Sequence, residues 1–166
     1  TADDPPDLRH IQAAWALARA LLATGSFALL DAHAQCWLRP AQVFARTTAE
    51  FVMADEVSVI FETEPTHGYG HILHTRGMLK FGRPDLVLVD IPPKHGVRIA
   101  DIVNQLAERL ALGDRLAVGG TVALPGLGML EAMAYVPGQN APELHLNNAG
   151  LLLRPRPPGA PAEEPS

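Results

Sequence analysis

Two amphipathic helical segments lie far apart in this chain, and short β-forming runs fill the sequence between them. Apolar residues recur every three or four positions near the N-terminus, which predicts a helix over residues 7–24. The same spacing predicts a second long helix over residues 97–112. Asp7 is suited to cap the first helix, and Gly25 and Gly113 are suited to end the two helices. Because strands separate the helices, we expect them to pack on a sheet and not in a bundle.

Short runs rich in β-forming residues, bounded by glycine or proline, predict the strands. Pro40 fits the first turn of a helix because its missing N–H needs no partner there, so residues 41–52 are predicted to be helical. Residues 76–82 are predicted to form a helical turn or tight loop. The sequence therefore predicts an α+β fold, with a mixed, largely antiparallel sheet and about three helices packed against it. The predicted strands cover residues 26–31, 36–38, 57–63, 72–75, 86–91, 120–124, 129–136 and 144–153.

The length of 166 residues indicates one domain, which we place at residues 7–153. Hydrophobic residues make up 48% of the chain, enough to build a core. Residues 1–6 and 154–166 are expected to be flexible ends or linkers, because the C-terminal segment has five prolines and no large apolar residue. We therefore expect a module of a larger protein.

Charge and hydropathy narrow the range of partners. A net charge of −5 argues against binding to nucleic acid or to an anionic membrane surface, where a basic face is expected. Apolar runs fall far short of the roughly 20 residues that a membrane helix needs. The single cysteine, Cys36, agrees with a reducing compartment. The expected location is the cytoplasm. The expected partner is another protein or a small anionic ligand, and the sequence does not determine the oligomeric state of the chain.

Three histidines, His67, His71 and His74, would line one face of a helix and could then bind zinc. Gly68 and Gly70 are turn formers that oppose such a helix. We therefore predict histidines in a loop and at a strand end, with no metal and no cofactor. The alternative is a small metal-dependent hydrolase built on this cluster.

Other catalytic signatures are weak. His33 lies near Cys36 in sequence, but a lone cysteine is more often a small core residue than a nucleophile. The Gly126-Leu127-Gly128 run partly imitates a dinucleotide-binding loop, yet Glu131 occupies the place of its third small residue. A glycine-rich hairpin connection is the expected structure there. Asp55-Glu56 and Glu163-Glu164 are predicted to be solvated charges in a turn and in the tail.

Cationic side chains crowd into the connection over residues 74–86. They are His74, Arg76, Lys80 and Arg83. One interpretation is a rim that binds an anionic ligand or partner, since backbone N–H groups in such a turn can also converge on an anion. The other is structural: the glycines permit a sharp turn, and two apolar side chains from it enter the core.

The same stretch contains a pattern of eight residues in a fixed order: Thr75, Gly77, Met78, Phe81, Gly82, Pro84, Asp85 and Leu86. This pattern resembles the signature of a bacterial family of domains of unknown function, numbered 4261. The flanking elements, over residues 13–122, are similar in order and spacing, whereas Lys80, Arg83 and the segment after Pro125 depart from the family pattern. The resemblance implies an α+β fold and a bacterial cytoplasmic origin, and it assigns no catalytic residue. The predicted function is a non-catalytic binding or regulatory domain.

Overall fold

A computed structural model describes residues 8–46 and 51–156, and within them the chain forms four α-helices and eight strands. The helices are α1 (Arg9–Ala23), α2 (Pro40–Ala45), α3 (Met53–Glu56) and α4 (Gly96–Ala111). Two short 3-10 turns, Met78–Phe81 and Pro93–His95, lie on either side of the fifth strand. The predicted α+β class is confirmed. The strands are β1 (Leu29–Asp31), β2 (Cys36–Leu38), β3 (Ser58–Phe61), β4 (Leu73–Arg76), β5 (Asp85–Leu88), β6 (Thr121–Leu124), β7 (Gly128–Ala134) and β8 (Gly150–Pro155).

Six of the strands form one mixed sheet in the order β3-β4-β5-β8-β7-β6. Only the central pair, β5 and β8, is parallel, and every other neighbouring pair is antiparallel. The sheet is therefore largely antiparallel, as predicted. Strands β1 and β2 form a separate antiparallel ribbon, in which Leu30 pairs with Trp37.

The main core combines apolar residues from the sheet with the buried faces of the two long helices. Helix α4 buries a continuous apolar stripe, including Ile102, Val103 and Leu106, against the apolar residues of the central strands. Helix α1 buries Ile11 and Trp15 in the same core. This is the arrangement that the helical periodicity of the sequence predicts, because each helix has one apolar face to bury.

The opposite face of the sheet is covered by loops. Ile72, Val87 and Leu152 form a second, smaller cluster there, with Ala141. Leu144 and Leu146 pack against this cluster from the segment that precedes β8. The loop cover explains why apolar residues are found on both faces of the central strands.

Several predicted boundaries are wrong. Residues 26–28 are not part of β1, and the Phe27 side chain is 89% exposed where a buried strand was expected. The helix predicted over residues 41–52 ends at Ala45, and a separate short helix, α3, follows. The strand predicted over residues 144–153 begins only at Gly150 and continues to Pro155, which pairs with Leu130.

Some predictions concern residues outside the described ranges. These are the cap at Asp7, the ends at residues 1–6 and 157–166, the middle of the helix predicted over 41–52, and the Glu163-Glu164 pair. Within the described residues, no helix combines the length and the apolar character required to cross a bilayer.

The connection between β4 and β5 is a tight structural turn. Gly77 (φ +118°) and Gly82 (φ +65°) flank the Met78–Phe81 turn, and both have left-handed backbone conformations that favour glycine. The side chains of Met78 and Phe81 are buried in the main core. The structural interpretation of this stretch is thus confirmed.

A buried hydrogen-bond network fixes the two ends of this turn together. The Thr75 hydroxyl donates to Asp85 Oδ1 at 3.0 Å and accepts from the Leu86 backbone N–H at 2.8 Å. Met78 N–H also donates to Asp85 Oδ1, at 3.3 Å. Burial raises the pKa of the Asp85 carboxyl above its usual range, and the hydrogen bonds from Met78 and Thr75 oppose that rise.

Replacing Thr75 with valine is expected to lower the free energy of unfolding by about 2 kcal/mol. Valine keeps the shape of the side chain but leaves Leu86 N–H without its acceptor and Asp85 with one donor fewer. Thr121→Val, at an exposed position in β6, is the matched control and should change stability by less than roughly 0.5 kcal/mol. Urea denaturation of both variants measures the difference. Equal effects would show that the buried hydroxyl adds nothing to stability.

Candidate functional site

The predicted cationic rim is not formed, because its members contact different parts of the protein. Lys80 is an inward-facing residue whose side chain is only 10% exposed, and it forms ion pairs with Asp31 and Glu56. Arg83 is buried and donates from Nε to the Leu110 backbone oxygen at 3.0 Å, near the C-terminal end of α4. Neither cation therefore belongs to an exposed rim.

The other two members of that set belong to strand β4. His74 is fully buried, and its Nε2 lies 3.1 Å from Glu62 Oε1. Arg76 is half-buried and is paired with Ser58 in the strand register. The rim interpretation of this stretch requires the four cations to share one surface. They do not share one, so the stretch gives no support for an anionic ligand.

The three histidines also lie in separate environments. His67 is exposed in a turn closed by the Thr66–Gly70 bridge, as the glycines predict. His71 stacks on the Phe61 ring at a centroid distance of 5.6 Å, and His74 is buried as described. Across the described residues, no group of three or more histidine, cysteine, aspartate or glutamate side chains is placed to hold a metal ion. His67, His71 and His74 are therefore not brought together as one metal-binding group in the described part of the chain.

Two weaker motifs have structural roles. Burial raises the pKa of the Cys36 thiol, and the nearby Asp31 carboxylate raises it further, which opposes the thiolate that a nucleophile requires. The Gly126-Leu127-Gly128 run is the turn of the hairpin between β6 and β7, as predicted.

A cavity of about 380 Å³ opens between α1 and the β1 strand, and it is the best candidate site. Such a volume lies in the range of pockets that hold small ligands. Its walls are mainly apolar because both elements turn aliphatic side chains toward it. Exposed His10 and His33 lie at its mouth. The wall residues are Ile11, Ala14, Trp15 and Ala18 from α1, and Leu29, Leu30 and Ala32 from β1 and the turn after it.

Three charged side chains form the floor of the cavity. Lys80 Nζ lies 2.6 Å from Asp31 Oδ2 and 3.0 Å from Glu56 Oε2. It also donates to the Glu56 backbone oxygen at 2.8 Å. The Trp15 indole N–H donates to Glu56 Oε1, and Arg46 lies over the Trp15 ring at 4.2 Å. We call Asp31, Glu56 and Lys80 the charged floor.

The backbone holds the charged floor in place. Asp31 ends β1, and its Oδ1 accepts from the N–H groups of His33 and Ala34 at 3.1 and 3.0 Å. Glu56 ends α3, and Lys80 lies inside the Met78–Phe81 turn. Three separate elements thus meet at the charged floor, and its charges are already oriented before a ligand binds.

Comparison with known proteins gives no match. No family model, curated protein or solved structure is significantly similar to this chain. The resemblance to family 4261 therefore stays a prediction, and the geometry of the cavity is the basis for the functional argument.

Proposed function

We propose that this chain is a non-catalytic binding domain that takes a small ligand into the cavity between α1 and β1. The observation that supports the proposal is the combination of an open, mainly apolar cavity with a buried, pre-oriented charged floor. Apolar walls with a few fixed polar groups are typical of ligand sites. A regulatory role as a module of a larger bacterial cytoplasmic protein is part of the same proposal.

A binding role agrees with the chemistry of the charged floor. Each charged group of the floor is paired with an opposite charge or accepts hydrogen bonds from backbone N–H groups. None of these groups is therefore free to act as a nucleophile. Cys36 lies near this site but has a raised thiol pKa. The arrangement is suited to recognition, because positioned charges orient a ligand without ordering cost at the moment of binding.

Tryptophan fluorescence tests this proposal. The chain has two tryptophans, and Trp37 is 71% exposed outside the cavity whereas Trp15 lines it. A Trp37→Phe variant leaves Trp15 as the only reporter. We expect that a panel of small amines, carboxylates and alcohols with apolar bodies includes compounds that change Trp15 emission in a saturable manner.

A matched pair of variants assigns that signal to the cavity. Ala14 lines the cavity and is exposed, so Ala14→Leu fills the entrance and should weaken binding at least tenfold. Ala13 is also exposed on α1 but does not line the cavity, so Ala13→Leu should leave the affinity within twofold. If no compound gives a saturable change, or if both variants lose binding equally, the proposal is wrong.

A further inference from the structure

We infer that the ligand of this cavity is an aliphatic or aromatic primary amine, bound as its ammonium form with the charged group against the floor. The inference rests on the proposed function, since it names the chemical class that the same cavity accepts. Two independent features of the charged floor lead to it: its net charge and its remaining hydrogen-bonding capacity.

The net charge of the floor is negative. It contains two carboxylates, from Asp31 and Glu56, and one ammonium, from Lys80, which gives a formal charge of −1. Arg46 is the next cation, but it lies on the Trp15 ring and pairs with Asp55 at 3.8 Å. In a partly desolvated cavity a single uncompensated charge strongly favours a ligand of opposite sign.

The donors of the floor are already used. An ammonium has three protons, and Lys80 Nζ directs them to three acceptors: Asp31 Oδ2, Glu56 Oε2 and the Glu56 backbone oxygen. The Trp15 indole N–H is committed to Glu56 Oε1. At the mouth, His10 Nε2 lies 3.3 Å from the Lys80 backbone oxygen, which can only accept, so that ring nitrogen is also a committed donor.

Acceptor capacity remains on the carboxylates. A carboxylate oxygen can accept about two hydrogen bonds. Among the described residues, Asp31 Oδ1 accepts two N–H groups, while Asp31 Oδ2, Glu56 Oε1 and Glu56 Oε2 each accept one. A ligand that reaches the floor must therefore bring donors. A carboxylate or phosphate brings only acceptors and negative charge, whereas a primary ammonium brings three donors and a positive charge.

The apolar walls define the rest of the ligand. The cavity volume of about 380 Å³ and the aliphatic side chains of Ile11 and Leu29 suit a hydrocarbon body of several carbons. Such an ammonium can be a free amine or the side chain of a lysine in a peptide, and both present the same chemistry to the floor.

Three probes of equal chain length test the inference: hexylamine, hexanoate and hexanol. Their dissociation constants are measured by Trp15 emission in the Trp37→Phe variant at neutral pH. We expect hexylamine to bind at least tenfold more tightly than hexanol, and hexanoate to bind more weakly than either. Nα-acetyl-lysine amide separates the two sources, since affinity near that of hexylamine indicates a lysine side chain and a much weaker one indicates a free amine.

Glu56→Gln provides the matched test of charge. Glutamine keeps the size of the side chain and brings the formal charge of the floor to zero, so the preference for hexylamine over hexanol should fall below threefold. If the variant does not fold, the comparison of the three probes on the Trp37→Phe protein still decides the question.

Two results would overturn the inference, and they have different meanings for the proposed function. Hexanoate binding as tightly as hexylamine would show that the cavity binds ligands without selecting a cation. The proposed binding function would then remain supported, and the inference of an amine ligand would be wrong. No saturable response to any of the three probes would reject the amine class, and the wider panel with the Ala14 and Ala13 variants would then decide whether the cavity binds anything.

Discussion

Replacing Lys80 with methionine is expected to lower the free energy of unfolding by about 3–5 kcal/mol. Methionine retains the length and much of the apolar stem of lysine but removes the ammonium that lies between Asp31 and Glu56. Two buried carboxylates would then face each other without a counterion. Each would lose one hydrogen bond from Lys80, and the Glu56 backbone oxygen would lose a third. The expected cost follows from removing one partner of a buried ion pair, which leaves the other charges uncompensated.

Lys94→Met is the matched control, because Lys94 is the other lysine of the chain and is exposed in the Pro93–His95 turn. Its effect should stay within roughly 0.5 kcal/mol. Urea or guanidinium melts at neutral pH give both values. A Lys80 variant as stable as the Lys94 variant would mean that the charged floor is not an ion-pair network in solution.

A Gly77→Ala substitution is expected to lower the free energy of unfolding by about 3 kcal/mol. The left-handed backbone at Gly77, with φ of +118°, costs a residue with a Cβ about 1–2 kcal/mol. In addition, the new Cβ would lie 2.6 Å from the Glu56 backbone oxygen, so the α3–β3 junction would have to move. Overpacking of this kind adds a further cost of about 1–3 kcal/mol.

Gly82→Ala separates these two causes. Gly82 closes the same turn with φ of +65°, but a Cβ added there meets no atom within 4 Å. Only the conformational cost applies, so we expect a loss of about 1 kcal/mol. If the two alanine variants are equally stable in denaturant melts, the close approach of Gly77 to α3 does not constrain the fold.

The sequence predicts the long helices and most strands of this fold because periodicity is a local property. Helices α1 and α4 have complete apolar stripes, and the glycines after them mark their ends. The predicted strand over residues 144–153 includes the segment before β8, where Leu144 and Leu146 alternate with polar residues. In the structure the same alternation lets both leucines cover the second face of the sheet from a loop. Burial alone does not distinguish a covering loop from a paired strand.

The candidate site could not be predicted because its parts are distant in sequence. Lys80 is 49 residues from Asp31 and 24 residues from Glu56, and the three residues lie on separate elements. A cation in a glycine-rich turn is usually solvated, which is why Lys80 was assigned to a binding rim. In the sequence, Asp31 and Glu56 are acidic residues next to apolar runs. Acidic residues are common at the ends of strands and helices, so this pattern does not indicate a site.

The position of β8 in the sheet has a consequence for how the protein matures during synthesis. Strand β8 is the last described strand in sequence, yet it occupies the centre of the sheet, between β5 and β7. Without β8, the other strands make up two separate groups, β3-β4-β5 and β7-β6, and each group has an unpaired inner edge. Such edges are sites of intermolecular strand pairing. Completion of the sheet also depends on the contact between β5 and β8, across about 60 intervening residues, which slows assembly. A chain that ends before Gly150 is therefore expected to be prone to aggregation. A chain that extends past Pro155 contains all six described strands of the sheet.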